Sequence, residues 1–382
     1  MTSLLGRRQV LGLAAGAALA APGACRLRRA LDLTLGAVAS RTGDRAVWGE
    51  DLLHGMELAV ALQNVRGGIN GRRIRMVALD NESQDERTPS LAGRIVDRER
   101  PLCLFGEVSS TANEKAAQVA QRRSVVFVAA ASTARDVSRV GDWAFRTALT
   151  DGEQAAALAR HTRQTMQKRR AAILYRRSSL LHVGMADAFA TAFRGGGGDL
   201  ALRESYTDDH ELVRLAGRVR QSAADVVYAP ADSADAGHIA VALRQARVTA
   251  QLCGSDGWAS PEVRRYAGDA LAGVLFTDAF FPRAGRAEVE VFLAAFRERY
   301  RAVPGTFAAL GYDAVRWVLA TAARLPLTQL DPHTLRDAML NSRFREAVAN
   351  DFAVDTRRTL AREINVLRYE RGAVEFAATM SP

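Results

Sequence analysis

Lysine is almost absent from this 382-residue chain: Lys115 and Lys168 are the only two, although Lys and Arg together number 52 against 42 acids. The net charge of +10 is therefore carried by arginine, scattered among acids, with no basic block interleaved with aromatics. Charge spread in that way describes a solvated surface, so no nucleic-acid partner is expected. Cysteine is scarce as well. Three residues exclude a disulfide framework, and Cys103 and Cys253 sit in apolar runs where they are expected as small buried hydrophobes. No Cys/His cluster has the spacing of a metal site, and the six histidines are dispersed. The run Asp208-Asp209-His210-Glu211 reads as a capping loop ahead of a helix rather than a ligand set. Also missing are GxSxG, HExxH, P-loop and strict GxGxxG motifs, so neither an enzyme nor a cofactor is expected. No apolar run is long enough to cross a bilayer comfortably. What remains, 48% hydrophobic and 25% charged, is the composition of a globular chain long enough for two domains.

The first residues read as a targeting segment. Arg7 and Arg8 precede an apolar, alanine-rich stretch over 10–21, followed by Pro22, Gly23, Ala24 and Cys25. A basic region, a short apolar region and small residues before a cut make residues 1–24 an export signal, and the expected location is periplasmic or otherwise extracytoplasmic. The twin-arginine and general export routes both remain open. The Gly-Ala-Cys ending looks like a bacterial lipoprotein site with Pro22 at a position usually held by Leu, so lipidation of Cys25, with a lipid anchor there, and plain cleavage are both left standing.

Downstream, short apolar runs alternate with helical patterns. Strands are expected over 31–38, 72–79, 102–105, 125–130, 171–175, 200–206, 226–229 and 251–253, with helices between them and loops over 40–48, 147–151 and 276–281. Repeated βα units predict doubly wound parallel sheets, and their number calls for two α/β lobes with a cleft between them. In such sheets ligands sit beyond the carboxyl ends of the strands. Ser109, Ser110 and Thr111 follow the run Leu102-Cys103-Leu104-Phe105-Gly106, Ser132 and Thr133 follow the next strand, and Asp256 follows the run at 251–253. Hydroxyls and helix-start N–H groups on one lobe suit an anion, and a carboxylate on the other suits a cation. The pairing points to a zwitterion. Ser110 or Thr111 could equally serve as an N-cap and Asp256 as a turn acid.

The segments Gly67-Gly68-Ile69-Asn70-Gly71-Arg72, Gly106 to Thr111, Ala131-Ser132-Thr133-Ala134 and Gly311-Tyr312-Asp313-Ala314-Val315 resemble those of type I periplasmic binding proteins. They are most similar to the leucine/isoleucine/valine-binding proteins of ABC uptake systems. The resemblance implies an N-lobe of 31–150 plus 279–355 and a C-lobe of 151–278 plus 356–382, joined by three hinge crossings near 147–151, 276–281 and 351–355. It implies an amino acid ligand, branched-chain or related, and ABC permease subunits in the inner membrane as partners. On the matching positions, Ser110 and Thr133, with Ser109 as a close alternative, hold the ligand carboxylate. Ala131, through its carbonyl, and Asp256 hold the ammonium. Trp48, in the first loop, and Phe307 wall the side chain; Trp48 also reads as a packed loop aromatic. Leu181 or His182 stands where many relatives have Tyr, and Asp232 where others have a second Tyr. Asp232 either faces the cleft, admitting a basic or more polar ligand, or is a solvated strand-end acid. A ligand-sensing or scaffolding envelope protein of the same fold is the alternative function.

Overall fold

In sequence order the chain lays down β1 (Leu33–Ala39), α1 (Ala46–Val65), β2 (Ile74–Asp80), α2 (Thr88–Glu99), β3 (Cys103–Phe105), α3 (Ser110–Arg123), β4 (Val126–Ala129) and β5 (Ala144–Arg146). These five strands form an all-parallel sheet in the order β2-β1-β3-β4-β5. The computed structural model describes residues 32–282 and 285–381; the export signal and Cys25 lie outside the described residues. Strands β1, β3, β4 and β5 are buried throughout, as strands covered by helices on both faces must be.

A second series follows: α4 (Asp151–Arg160), β6 (Arg170–Arg176), α5 (Leu180–Gly195), β7 (Asp199–Tyr206), α6 (His210–Gln221), β8 (Val226–Ala229), α7 (Ser233–Gln245), β9 (Gln251–Gly254), α8 (Pro261–Ala267) and β10 (Leu275–Asp278). The chain then forms α9 (Ala287–Tyr300), α10 (Thr306–Ala322) and α11 (Pro332–Met339). Five strands close it, β11 (Ser342–Phe344), β12 (Phe352–Val354), β13 (Leu360–Arg362), β14 (Ile364–Glu370) and β15 (Ala373–Met380). The second sheet runs β15-β14-β10-β9-β8-β6-β7, with β14 and β15 antiparallel, and β11-β12-β13 make a small antiparallel sheet. The expected α/β class of doubly wound parallel sheets is the one observed.

Three local expectations change. The segment 276–281, expected as a loop, begins in β10, and β5 went unexpected; three- and four-residue strands are too short to show a period. The helix expected from residue 50 starts at Ala46, which moves Trp48 from a loop into the first turn of α1. The third passage between sheets falls between Arg362 and Ile364, because β13 pairs with β12 and β14 pairs with β10.

Close packing of α1 against α10 sets one wall of the fold. A side chain at Gly55 would put its Cβ 1.9 Å from the Ala308 carbonyl oxygen, so only glycine lets the two helices approach this closely. Asp51 of α1 also accepts the N–H groups of Gly305 and Ala308, capping α10 from the neighbouring helix.

The passages are tied together by one buried arginine. Arg362 donates Nη1 to the Thr147 carbonyl, Nε and Nη2 to the Ala349 carbonyl, and Nη2 to Asp313 at 2.7 Å. Asp313, within the Gly-Tyr-Asp-Ala-Val motif, also accepts the N–H groups of Val348 and Ala349. Asn350 and Asn365 extend the web, and Asn365 donates to the Ala279 carbonyl. One rigid guanidinium fork thus links the first passage, α10 and the third.

Candidate functional site

Gly106 ends β3 because nothing larger fits. A Cβ there would lie 1.6 Å from Asn113 Oδ1, the atom that accepts the Glu107 N–H. Glu107 is fully buried and compensated on all sides. Its carboxylate accepts from Ser40 Oγ at 2.7 Å, Asn81 Nδ2 at 3.2 Å, Arg45 Nη2 at 3.4 Å and the Val108 N–H at 3.2 Å. Arg45 also pairs with Asp85, which accepts the Ser109 hydroxyl at 3.1 Å. Ser109 is in turn the N-cap of α3, its Oγ accepting from Ala112. Its hydroxyl, expected to share in holding a ligand, here donates to Asp85 and accepts from the Ala112 N–H. Ser110 Oγ accepts from Ser132 at 3.0 Å, which brings the two expected hydroxyl clusters together.

Opposite stands the end of β9. Trp258 is fully buried; its indole donates to the Ala229 carbonyl and its own carbonyl accepts from Tyr369. This clamp fixes the short turn Asp256–Ala259 and with it Asp256. The Asp256 carboxyl is bonded by Gln154 of α4. Asp151, the first residue of α4, bonds the Thr133 hydroxyl. Local chemistry places both. Thr150 and Glu153 form a reciprocal cap at the α4 start, and buried Arg146 donates to both Glu153 oxygens and to the Ala148 carbonyl. Although burial pushes Glu153 up, the Arg146 guanidinium and the cap hold it below the usual range. A third carboxyl, Asp278 at the end of β10, accepts from Thr306 Oγ at 2.7 Å and from the Phe280 N–H at 3.1 Å.

These groups line one cavity of about 240 Å³. Ala131, Thr133, Asp151, Gln154, Asp256, Asp278 and Thr306 are its polar wall, and Val108, Leu149, Leu181, Phe307 and Leu310 its apolar one. Burial pushes Asp151 up to about 7; the Asp256 charge adds to the rise and the Thr133 bond opposes it. Asp278 is also pushed up to about 7, by burial first, against its Thr306 and Phe280 bonds, with Asp256 again adding. Burial raises Asp256 itself, against the Gln154 bond, and the Asp232 charge adds. The carboxyls are close enough to feel one another, and none has a cationic partner that matches it in charge.

Of the residues singled out in the sequence, Ala131, Thr133, Asp256 and Phe307 share this cavity. Trp48 stands outside it, half exposed, with its ring 6.5 Å from Phe307. His182 is buried beneath the α5 start, and its Nε2 lies 3.4 Å from Asp232, whose side chain is 79% exposed. The His182 hydrogen bond holds the Asp232 carboxyl below its ordinary range. Asp232 is an exposed acid paired with a histidine, and Leu181, not His182, lines the cavity. The Asp208 carboxylate accepts the His210 N–H, a capping contact. Asp151, Gln154, Asp278 and Thr306 went unread; Asp151 and Asp278 lay in 147–151 and 276–281, which were taken as connecting loops. The signal for Asp278 was available in the rule that located Asp256, an acid at the carboxyl end of a core strand. Among the described residues no group of His, Cys, Asp and Glu has metal-binding geometry, and no helix is long and apolar enough to cross a membrane.

Comparison with known proteins gives a consistent picture. The sequence profile of the family described as periplasmic binding protein matches residues 32–373. A protein of Brucella melitensis named Leu/Ile/Val-binding protein homolog 3 is 28% identical over 250 residues, which is 65% of this chain and 67% of the relative. Among solved structures, the branched-chain amino acid transporter substrate-binding protein LivJ of Streptococcus pneumoniae, in complex with isoleucine, has a TM-score of 0.76 at 22% identity. The match covers 92% of this chain and all of that one. A solute-binding protein of R. palustris in complex with benzoate has a TM-score of 0.71 at 20% identity over 92% of this chain and 97% of its own. At these identities the structural likenesses show the fold.

Proposed function

The chain belongs to the periplasmic binding protein family, a family of binding proteins and not of enzymes, and on that premise we propose that it is the extracytoplasmic substrate-binding protein of an ABC importer. It captures an amino acid between two lobes that close about three hinge passages. One lobe is built on the first sheet with α9 to α11, the other on the second sheet. The carrying observation is the cavity shared by Ala131 and Thr133 from the end of β4 and Asp256 from the end of β9. Relatives named for leucine, isoleucine and valine support an amino acid, branched-chain or related, as the ligand class.

In this reading the ligand ammonium lies against Asp256 and the Ala131 carbonyl, with Asp151 beside them. The carboxylate takes the hydroxyl and N–H groups around Ser110 and Thr133, and the Thr133–Asp151 bond is exchanged on binding. A charge-assisted hydrogen bond to a buried carboxylate is short and strong. Only the closed form lets the ligand touch both lobes, so binding shifts the population toward closure, and the closed form is what the permease subunits in the inner membrane receive. Cleavage of the export signal before Cys25, with a lipid anchor there, would keep the protein near those subunits.

A thermal-shift and calorimetry screen of amino acids tests the proposal. A ligand at 100 times its Kd adds about 2.7 kcal/mol of stability, a readily visible shift. Saturable binding of an amino acid that Asp256→Ala and Thr133→Ala weaken supports the assignment, and unchanged affinity in both variants sinks it.

A further inference from the structure

A second and larger cavity, of about 480 Å³, lies against the small β11-β12-β13 sheet. Its floor follows from the register. Arg343 pairs with Ala353 and Ala353 with Ala361, so this row across the sheet holds one long side chain and then two methyl groups. The neighbouring row, Phe344, Phe352 and Arg362, is buried on the opposite face, as strand alternation requires. Two alanines side by side leave a trough that larger residues would fill. Arg286, just before α9, and Ser381, just after β15, stand at its edges. Arg362 and Glu363 border both this trough and the ligand cavity, so the two adjoin at the third passage between the sheets.

The charges along the trough are unevenly matched. Around the small sheet, arginines are mostly paired: Arg286 with Asp351, Arg316 with Glu346, Arg358 with Asp142 and Arg362 with Asp313. Arg343 and Arg345 differ. Both are exposed, they flank the buried Phe344, and neither has a hydrogen bond or ion pair among the described residues. Arg286 adds a third guanidinium. Its Nη2 serves the Ala347 carbonyl at 2.7 Å and reaches Asp351 only at 3.5 Å, and its other N–H groups have no partner among the described residues. Once the paired groups are set aside, two guanidiniums face one free carboxylate, Glu363. Like charges on one face repel, and an anion set between them turns that repulsion into attraction. The guanidinium fork matches the planar geometry of carboxylate and phosphate oxygens, and each free fork can take one such group.

We propose that this trough binds a small molecule carrying two or more carboxylate or phosphate groups, held by Arg343 and Arg345, with Arg286 at its side and the Ala353–Ala361 floor beneath it. The site is separate from amino acid capture and does not rest on the receptor reading above.

The test is calorimetry of the purified protein with citrate and with pyrophosphate, free of amino acids and at ionic strength held constant with sodium chloride. It compares the native protein with Arg343→Ala/Arg345→Ala and with Arg122→Ala/Arg220→Ala, which removes the same charge from exposed positions on α3 and α6. The expected result is saturable one-to-one binding of at least one of the two anions by the native protein and by the α3/α6 variant. The Arg343/Arg345 variant, shown folded by circular dichroism, should bind it at least 10-fold more weakly. Binding of neither anion by the native protein overturns the proposal, and so does unchanged affinity in the Arg343/Arg345 variant. An equal loss in the α3/α6 variant also overturns it, since net charge alone would then account for the binding. Should the double variant not fold, Arg345→Gln, just outside β11, is expected to weaken binding at least 3-fold, and unchanged affinity there overturns the proposal. None of these outcomes bears on the receptor reading.

Discussion

Two buried acidic regions of this molecule are built in opposite ways. Glu107, behind the Ser109–Ser110 loop, is surrounded by Ser40, Asn81, Arg45 and the Val108 N–H. Asp151, Asp256 and Asp278 share a cavity, the Asp256 charge raises the other two, and all three find neutral donors in place of cations. A satisfied buried carboxylate holds its neighbours in place, and an unsatisfied one is stability given up for a partner yet to arrive. The contrast is sharper than residue type, since of two strand-end hydroxyls Ser109 is held by Asp85 and caps α3 while Thr133 lines the cavity.

The largest effects are expected where satisfied charges are broken. Arg362→Ala leaves Asp313 buried without its cation and unties Thr147 from Ala349, and should cost about 3–5 kcal/mol in denaturant unfolding. A loss below ~1 kcal/mol would remove Arg362 from its place as the tie between passages.

Breaking the unsatisfied side should act on binding instead. Asp256→Ala should weaken amino acid capture by roughly 30-fold or more, as loss of one partner of a buried charge pair does. The melting temperature of the ligand-free variant should stay level or rise, because a repulsive group has gone. A large fall in ligand-free stability would place Asp256 with the scaffold.

The difference should also show in pH. With raised values near 7, Asp151 and Asp278 keep protons in the folded state that the unfolded chain releases near its ordinary carboxyl value of 3.8. The stability these protons contribute is complete below about pH 4 and is lost as pH rises through about 7. The ligand-free melting temperature should therefore fall by about several degrees between pH 5 and pH 8, and Asp278→Asn should flatten the fall. A rising profile that this variant does not alter would contradict the assignment of those protons.

The smallest effect belongs to Ser109→Ala, about 1 kcal/mol of stability from the lost N-cap, with affinity changed less than about two-fold. An affinity loss ten times larger, at intact stability, would return Ser109 to the ligand.

The sequence made the scaffold more legible than the site. Strand and helix alternate with distinct periods, so β1, β3, β4, β6 and β8 with their helices were readable within a few residues. The cavity was half readable. Thr133, Ala131, Asp256 and Phe307 follow from strand ends and the family resemblance. Asp151 lay in 147–151, which was read as a connecting loop. Asp278 closes a strand of four residues, too short to announce itself. Arg362 is one arginine among many, and only the folded chain brings Thr147, Asp313 and Ala349 to it.

The most direct test of the central claim is isothermal titration of amino acids into the native protein and into Asp256→Ala side by side. The account predicts saturable one-to-one binding of an amino acid by the native protein and its near loss in a variant that melts no lower. Equal affinity in the two proteins, or no amino acid bound by either, would contradict it.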